Sequence, residues 1–444
     1  MSLSTNVYFP LLFGEREWGI RKMQTCVFLM GLLFPLCVHS SAPSTLQLVN
    51  LVYRHGDRSP IQIYPLDKHQ LNNTPEWSDG LGWLSKLGMQ QQYATGVFLR
   101  RRYDGFLSKK YINKEFSVQS SAVDRCLMSA YSNLAGLYPP TPGEVWNQDI
   151  HWQPIPVSMV PDLQDRKLSL DSNCALYNKL IDEMTHSEVV KKEEAKNKAF
   201  YKFVSKQTGV PHENISVVWS VADVLFCEKA QGLDWNSWVN DTVYAKIREI
   251  NRFDIQLLYY TKEMARLKGG PLLKQFIENM NGTINGSDPE AKMFMYSAHD
   301  VTVVALLSAL GLYNDQPPPY TATLIMELHK ENGQYNVQIF YRNYTTNDTM
   351  DTREPVPLTL KDCDFKCPME TFLKLTKDAV PTNWTEECKT SSGDHSHRFI
   401  VNLATIIASS ISLTVVGMLI VIIAITCIRR RRQESHKSYN KFFT

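Results

Sequence analysis

The sequence has no excess of either charge: 47 lysines and arginines stand against 45 aspartates and glutamates, a formal net of +2. The basic stripe with which nucleic-acid binders meet a phosphate backbone is therefore missing. There is no internal repeat and no low-complexity segment, which excludes solenoids and tails of biased composition. Histidines at metal-ligand spacing are almost absent, since only His395 and His397 stand close together, in a polar stretch that reads as solvated loop. Long apolar runs are also missing, apart from two. At 444 residues the chain exceeds the usual size of one compact domain, so one large domain with an insertion, or two domains, is expected.

The two apolar runs set the topology. Arg21 and Lys22 precede an apolar stretch from Cys26 to Val38, followed by His39, Ser40, Ser41 and Ala42, the order of a secretory signal cleaved near Ser40 to Ala42. Residues 1–41 are thus read as an N-terminal extension and signal peptide, with Met1 and Met23 as alternative starts. Phe399 to Ile428 carries no charge and exceeds the roughly 20 residues that span a bilayer. Arg429 to Arg432 follow at once and place the tail 429–444 in the cytoplasm. The expectation is a single-pass type I protein with residues 42–390 luminal or extracellular, a polar stalk over 391–398 and a transmembrane helix over 399–428. Sequons at Asn72, Asn214, Asn240, Asn281, Asn285, Asn343, Asn347 and Asn383 all fall between the two runs and agree with glycosylation there.

Outside the signal and the span, Cys126, Cys174, Cys227, Cys363, Cys367 and Cys388 remain in an oxidising compartment. Disulfides are expected, and no zinc. Cys363 and Cys367 are near enough in sequence to bridge a local loop; the other pairings stay open.

The nearly unbroken apolar run Leu46 to Tyr53 reads as a strand buried on both faces of a parallel sheet, and it stops at Arg54. A helical pattern follows from Lys86 to Tyr103. The same order recurs in Phe116 to Ser121 before a helix over Asp124 to Leu137, and in Met293 to Ala298 before a helix over Val301 to Leu310. Such repetition predicts an α/β fold with a mostly parallel sheet flanked by helices. Between them, roughly 140–290 reads as a largely helical insertion or cap, with helices over Tyr177 to Gln207 and Asp241 to Arg266. A late hairpin is expected from Leu324 to His329 and Val337 to Arg342.

Ligands of α/β sheets gather where strands end and helices begin. Three such points carry charge: Arg54-His55-Gly56-Asp57-Arg58-Ser59-Pro60, Asp124-Arg125 and His299-Asp300. Brought to one sheet edge, they surround a tetrahedral anion with three guanidiniums and two imidazoles, with a carboxylate beside it. Taken singly, each is also compatible with a solvated turn, a helix cap or a surface ion pair.

Arg54 to Pro60 matches in full the signature Arg-His-Gly-x-Arg-x-Pro, and with Asp124-Arg125, Leu127-Met128-Ser129, Trp152 to Val157, Leu225-Phe226-Cys227-Glu228 and Ser297-Ala298-His299-Asp300 it makes the chain resemble the histidine acid phosphatases. Within that family it looks closest to the lysosomal and prostatic branch, whose lysosomal members share a C-terminal span and short tail. The resemblance implies hydrolysis of phosphate monoesters at acidic pH through a phosphohistidine. It implies His55 as nucleophile, Asp300 as proton donor, Arg54, Arg58, Arg125 and His299 as the phosphate holders, and neither metal nor other cofactor. Neighbouring guanidiniums would keep His55 neutral in acid, and bound phosphate would help Asp300 keep its proton. The resemblance further implies disulfides Cys174 with Cys388 and Cys363 with Cys367.

Departures stand at Gln119 to Cys126, where the usual Arg-Ser-Thr-Asp-x-Asp-Arg-Thr-Leu loses a charge pair, and at Thr323, where a cysteine partner for Cys227 is missing. The resemblance implies a homodimer, of whose contact Trp152 is kept while Ser158 replaces a histidine. Tyr439 to Phe442 fits a tyrosine-based sorting signal read by an adaptor, which with the span points to a lysosomal or endosomal membrane or the cell surface. Two rival readings are a narrower ectophosphatase acting on nucleoside monophosphates or lysophospholipid phosphates, and a glycosylated binding protein that kept only the fold.

Overall fold

The computed structural model describes residues 45–169 and 172–390. The expected signal peptide, stalk, transmembrane helix and Tyr439 to Phe442 signal lie outside the described residues. Among those described, no helix is long and apolar enough to cross a membrane.

The elements are, in chain order, β1 (Leu46–Arg54), α1 (Lys86–Arg102), β2 (Phe116–Ser121), α2 (Asp124–Leu137), β3 (Ser158–Val160), α3 (Ala175–Thr185), α4 (Glu188–Thr208), α5 (Ile215–Gln231), α6 (Asp241–Leu257), α7 (Lys262–Asn285), β4 (Met293–Ala298), α8 (Asp300–Ala309), β5 (Thr323–Glu331), β6 (Gln334–Arg342), β7 (Val356–Leu358), β8 (Cys367–Pro368), α9 (Met369–Thr376) and α10 (Trp384–Glu387). The sheet runs β3-β2-β4-β1-β5-β6-β7, with β8 on β6. It is mixed, and the expectation of a mostly parallel sheet is corrected: β3, β2, β4 and β1 are parallel, whereas β5, β6, β7 and β8 add antiparallel pairings. The reason is that β1 is central. Both neighbours bury it, so its apolar run looks the same whichever way the neighbour points.

Alternate residues of β1 feed two cores. Val49, Leu51 and Tyr53 meet Phe98, Leu99, Ala130 and Leu134 of α1 and α2. Leu48 and Val52 belong with Leu272, Leu273 and Phe276 of α7 and Val303 and Leu306 of α8 on the other face. A third cluster joins α4, α5 and α6 to Tyr64 and Trp77 of the long loop after β1.

Two helix expectations are corrected. The run Tyr177 to Gln207 is two helices, because the Ser187 side chain accepts from Val190 N and starts α4 afresh. The run Asp241 to Arg266 is likewise cut, since Thr261 caps α7 through Met264 N, and α7 continues to Asn285 before Gly286 at φ 70° ends it. Disulfides join Cys174 to Cys388 and Cys363 to Cys367. Cys126 and Cys227 are buried free thiols.

Candidate active site

Three strand ends meet. Arg54 closes β1 and His55 follows it; the His55 N–H donates to Ala298 O at 2.9 Å and its carbonyl accepts from Thr321 N at 3.2 Å. The Arg54 carbonyl accepts from Gln92 Nε2 of α1 at 2.8 Å. Glycines let the motif loop lie on that helix: a Cβ on Gly56 would stand 2.3 Å from the Gly88 oxygen, and one on Gly88 would stand 2.1 Å from the Asp57 oxygen. No side chain fits at either position. Asp57 completes the clamp. Its N–H donates to Gln91 Oε1 at 2.9 Å, and its carboxylate accepts from Ser85 and from Gln231 of α5.

His55 is 1% exposed, and its Nδ1 stands 2.8 Å from the Gly56 carbonyl. A carbonyl only accepts, so Nδ1 carries the proton and Nε2 keeps a free lone pair. Burial, then the charges of Arg125, Arg54 and Arg58, hold the imidazole well below its usual pKa. It stays neutral in acid. His299 lies with its ring 5.7 Å from that of His55 and is pushed down by burial and by Arg125 in the same way. Arg125 Nη2 reaches His299 Nδ1 at 3.3 Å, and Ser121 Oγ reaches Nε2 at 3.0 Å, so a neutral His299 donates from Nε2 to the serine.

Asp300 begins α8, and its Oδ2 is 3.0 Å from Arg54 Nη2. Burial alone would raise its pKa, but the charges of Arg54 and Arg58 outweigh burial and hold it below the usual carboxylate range. Arg54 is steadied further by Pro318 O at 2.7 Å and by the Tyr320 ring, 4.4 Å from its guanidinium carbon. All six residues singled out in the sequence, Arg54, His55, Arg58, Arg125, His299 and Asp300, line one cavity of about 260 Å³.

Residues 45–342 match the family described as the histidine phosphatase superfamily (branch 2). The chain belongs to that superfamily. It is 39% identical to the lysosomal acid phosphatase of Bos taurus over 394 residues, 88% of this chain and 90% of the bovine one. To the bovine prostatic acid phosphatase it is 38% identical over 348 residues, covering 77% and 87% of the two chains. Among solved structures, the Hafnia alvei phytase in complex with myo-inositol hexakis sulphate shares the fold, with a TM-score of 0.60 at 18% identity, over 79% of this chain and all of that one.

As a histidine phosphatase the chain also holds residues that the motifs did not reveal. Asp223 of α5 forks onto Arg58, with Nη2 to Oδ1 at 2.8 Å and Nη1 to Oδ2 at 3.1 Å, and it also accepts from Ile61 N at 3.0 Å. Burial would raise Asp223, yet Arg58 keeps it below its usual value. A lone carboxylate within the apolar run Val217 to Phe226 was the available signal, because such a group needs a partner. Trp219, Phe226, Arg248 and Asn251 of α5 and α6 line the same cavity. The altered segment surrounds His299: Ser121 bonds it, and the Cys126 sulfur lies 3.6 Å from its Nε2. Burial pushes the Cys126 thiol up to about 12, so it stays protonated.

The Arg58 and Asp223 side chains are only 7% and 19% exposed. Asp223→Ala therefore strands a buried cation, at a cost of about 3 kcal/mol. The melting temperature of the variant falls by several degrees, and inorganic phosphate, by supplying the missing anion, restores more of it than it adds to the wild type. Equal phosphate-induced shifts in a thermal-unfolding experiment would show that Arg58 does not face the ligand.

Proposed function

We propose that the protein is an acid phosphatase that hydrolyses phosphate monoesters through a phosphohistidine on His55. The observation that carries this reading is that His55, whose Nδ1 meets the Gly56 carbonyl and leaves Nε2 free, lines one cavity with Arg54, Arg58, Arg125 and Asp300. In the first step His55 Nε2 attacks phosphorus while the ester P–O bond breaks and the leaving oxygen takes the proton of Asp300. In the second, water attacks the phosphohistidine as the Asp300 carboxylate takes its proton, which frees His55 and inorganic phosphate. The three guanidiniums and His299 hold the equatorial oxygens, so the charge of the transferring group is met by groups already in place.

Asp300 is ionised in the empty site, so the proton it donates arrives with the substrate. A phosphate monoester loses its second proton near pH 6, and only the monoanion carries that proton in. kcat/KM should therefore fall by about one decade per pH unit above about pH 6. Below it, the depressed pKa of His55 keeps the base neutral, and kcat/KM stays high at pH 5, where an ordinary imidazole is charged. The test is phosphate release from phenyl phosphate across pH 4–8 with a chelator present. A one-proton loss of activity on descending through pH 6.5, or dependence on added metal, would contradict the reading.

The relatives named lysosomal acid phosphatases support a lysosomal or endosomal location. To this proposal belong a luminal catalytic region over 42–390 with a helical insertion at 140–290, glycans on the eight sequons, and a single type I span over 399–428. A tail whose Tyr439 and Phe442 meet a sorting adaptor, and a homodimer through the region of Trp152 and Ser158, complete it.

A further inference from the structure

Every arginine at the centre of the cavity has a partner. Arg54 is paired with Asp300, Arg58 with Asp223, and Arg125 rests on His299. Arg248 differs. It lines the same cavity from α6, its guanidinium carbon 5.0 Å from the Phe226 ring, while Arg54 stands 5.4 Å from that ring. Among the described residues no carboxylate pairs with Arg248 and no acceptor takes its N–H groups. The charges acting on it include the like charges of Arg54 and Arg252 and that of Asp300, which Arg54 already holds; Tyr244 of its own helix is a further neighbour.

One turn along the same face of α6, Asn251 also lines the cavity, 7% exposed, and its side-chain amide has no hydrogen-bond partner among the described residues. A guanidinium partly withdrawn from water with no acceptor among the described residues has unmet donors, and a neighbouring free amide adds two more. Phe226 and Trp219 supply apolar surface beside them for the organic part of a ligand.

We propose that Arg248 and Asn251 form a second anion subsite, which receives a carboxylate or phosphate carried on the leaving group. The enzyme then favours phosphomonoesters with a second negative charge over those whose leaving group is neutral. This rests on the cavity being a phosphomonoester site, and it narrows the substrate class of that site. The preference is expressed in binding, because the second anion takes no part in bond breaking and is held alike in ground and transition states.

The test is a cycle of two substrates and three proteins: phenyl phosphate and 4-carboxyphenyl phosphate with the wild type, Arg248→Gln and Arg248→Lys. Comparing each variant with the wild type on each substrate cancels the intrinsic reactivity of the two leaving groups. Arg248→Gln should lose at least about tenfold more kcat/KM on the carboxylated substrate than on phenyl phosphate, the loss appearing in KM, as expected for one charge-assisted hydrogen bond. Arg248→Lys should recover part of that difference. Equal losses on both substrates, or a difference appearing in kcat alone, would overturn the subsite. Failure of the wild type to hydrolyse phenyl phosphate would instead overturn the phosphatase reading itself.

Discussion

His55→Ala is expected to lower kcat/KM by at least about a thousandfold, because it removes the proposed nucleophile and leaves only the arginine cradle to act on water. The loss should appear on every monoester alike, since the nucleophile is common to all of them. Binding should survive. Arg54, Arg58 and Arg125 keep their partners without the imidazole, and removing a neutral ring takes no positive charge from the site, so inorganic phosphate should still raise the melting temperature of the variant. Calorimetric binding of phosphate with lost turnover is the expected pair of results. Retained turnover in the alanine variant would remove His55 from the chemistry.

Asp300→Asn should separate substrates by their leaving groups. For an alkyl phosphate, whose departing oxygen is strongly basic, loss of the proton donor costs about 10²–10⁴ in kcat/KM, which the first step alone sets. For 4-nitrophenyl phosphate, whose leaving oxygen departs without a proton, the first step should be only slightly slowed. The side chain begins α8, with Oδ1 accepting from Val301 N at 2.8 Å, and asparagine keeps that oxygen. The variant should also lose the need for substrate monoanion, so its kcat/KM on the nitrophenyl ester no longer falls steeply above about pH 6. Equal losses of kcat/KM on both esters would make Asp300 a partner of Arg54 rather than a donor.

The site was more legible in the sequence than the sheet that holds it. Arg54 to Arg58, Arg125, His299 and Asp300 each follow a stretch that reads as a strand, and strand followed by helix is a local signal. The pairing of β1 with β5 is not local: it joins Leu46 to His329 across most of the chain, and neither strand's pattern records the direction of its neighbour. The breaks at Ser187 and Thr261 carry no glycine or proline, only a capping hydroxyl, and charged periodicity runs through both. Asp223 and Arg248 were hidden for a different reason. They reach the cavity from α5 and α6, so their roles depend on how these helices pack over the sheet edge. The stretch Gln119 to Cys126 read as the loss of a charge pair; in the fold it is two of its uncharged positions, Ser121 and Cys126, that stand beside His299.

The central claim is that His55 carries the phosphoryl group, and trapping that group tests it most directly. The purified protein, mixed with radiolabelled aryl phosphate near pH 5 and quenched within milliseconds, should yield label that is stable in alkali and lost in acid, the behaviour of a phosphoramidate. Peptide mapping should place it on the segment containing His55, and His55→Ala should trap none. Label on any other residue, or equal label on the alanine variant, would contradict the account.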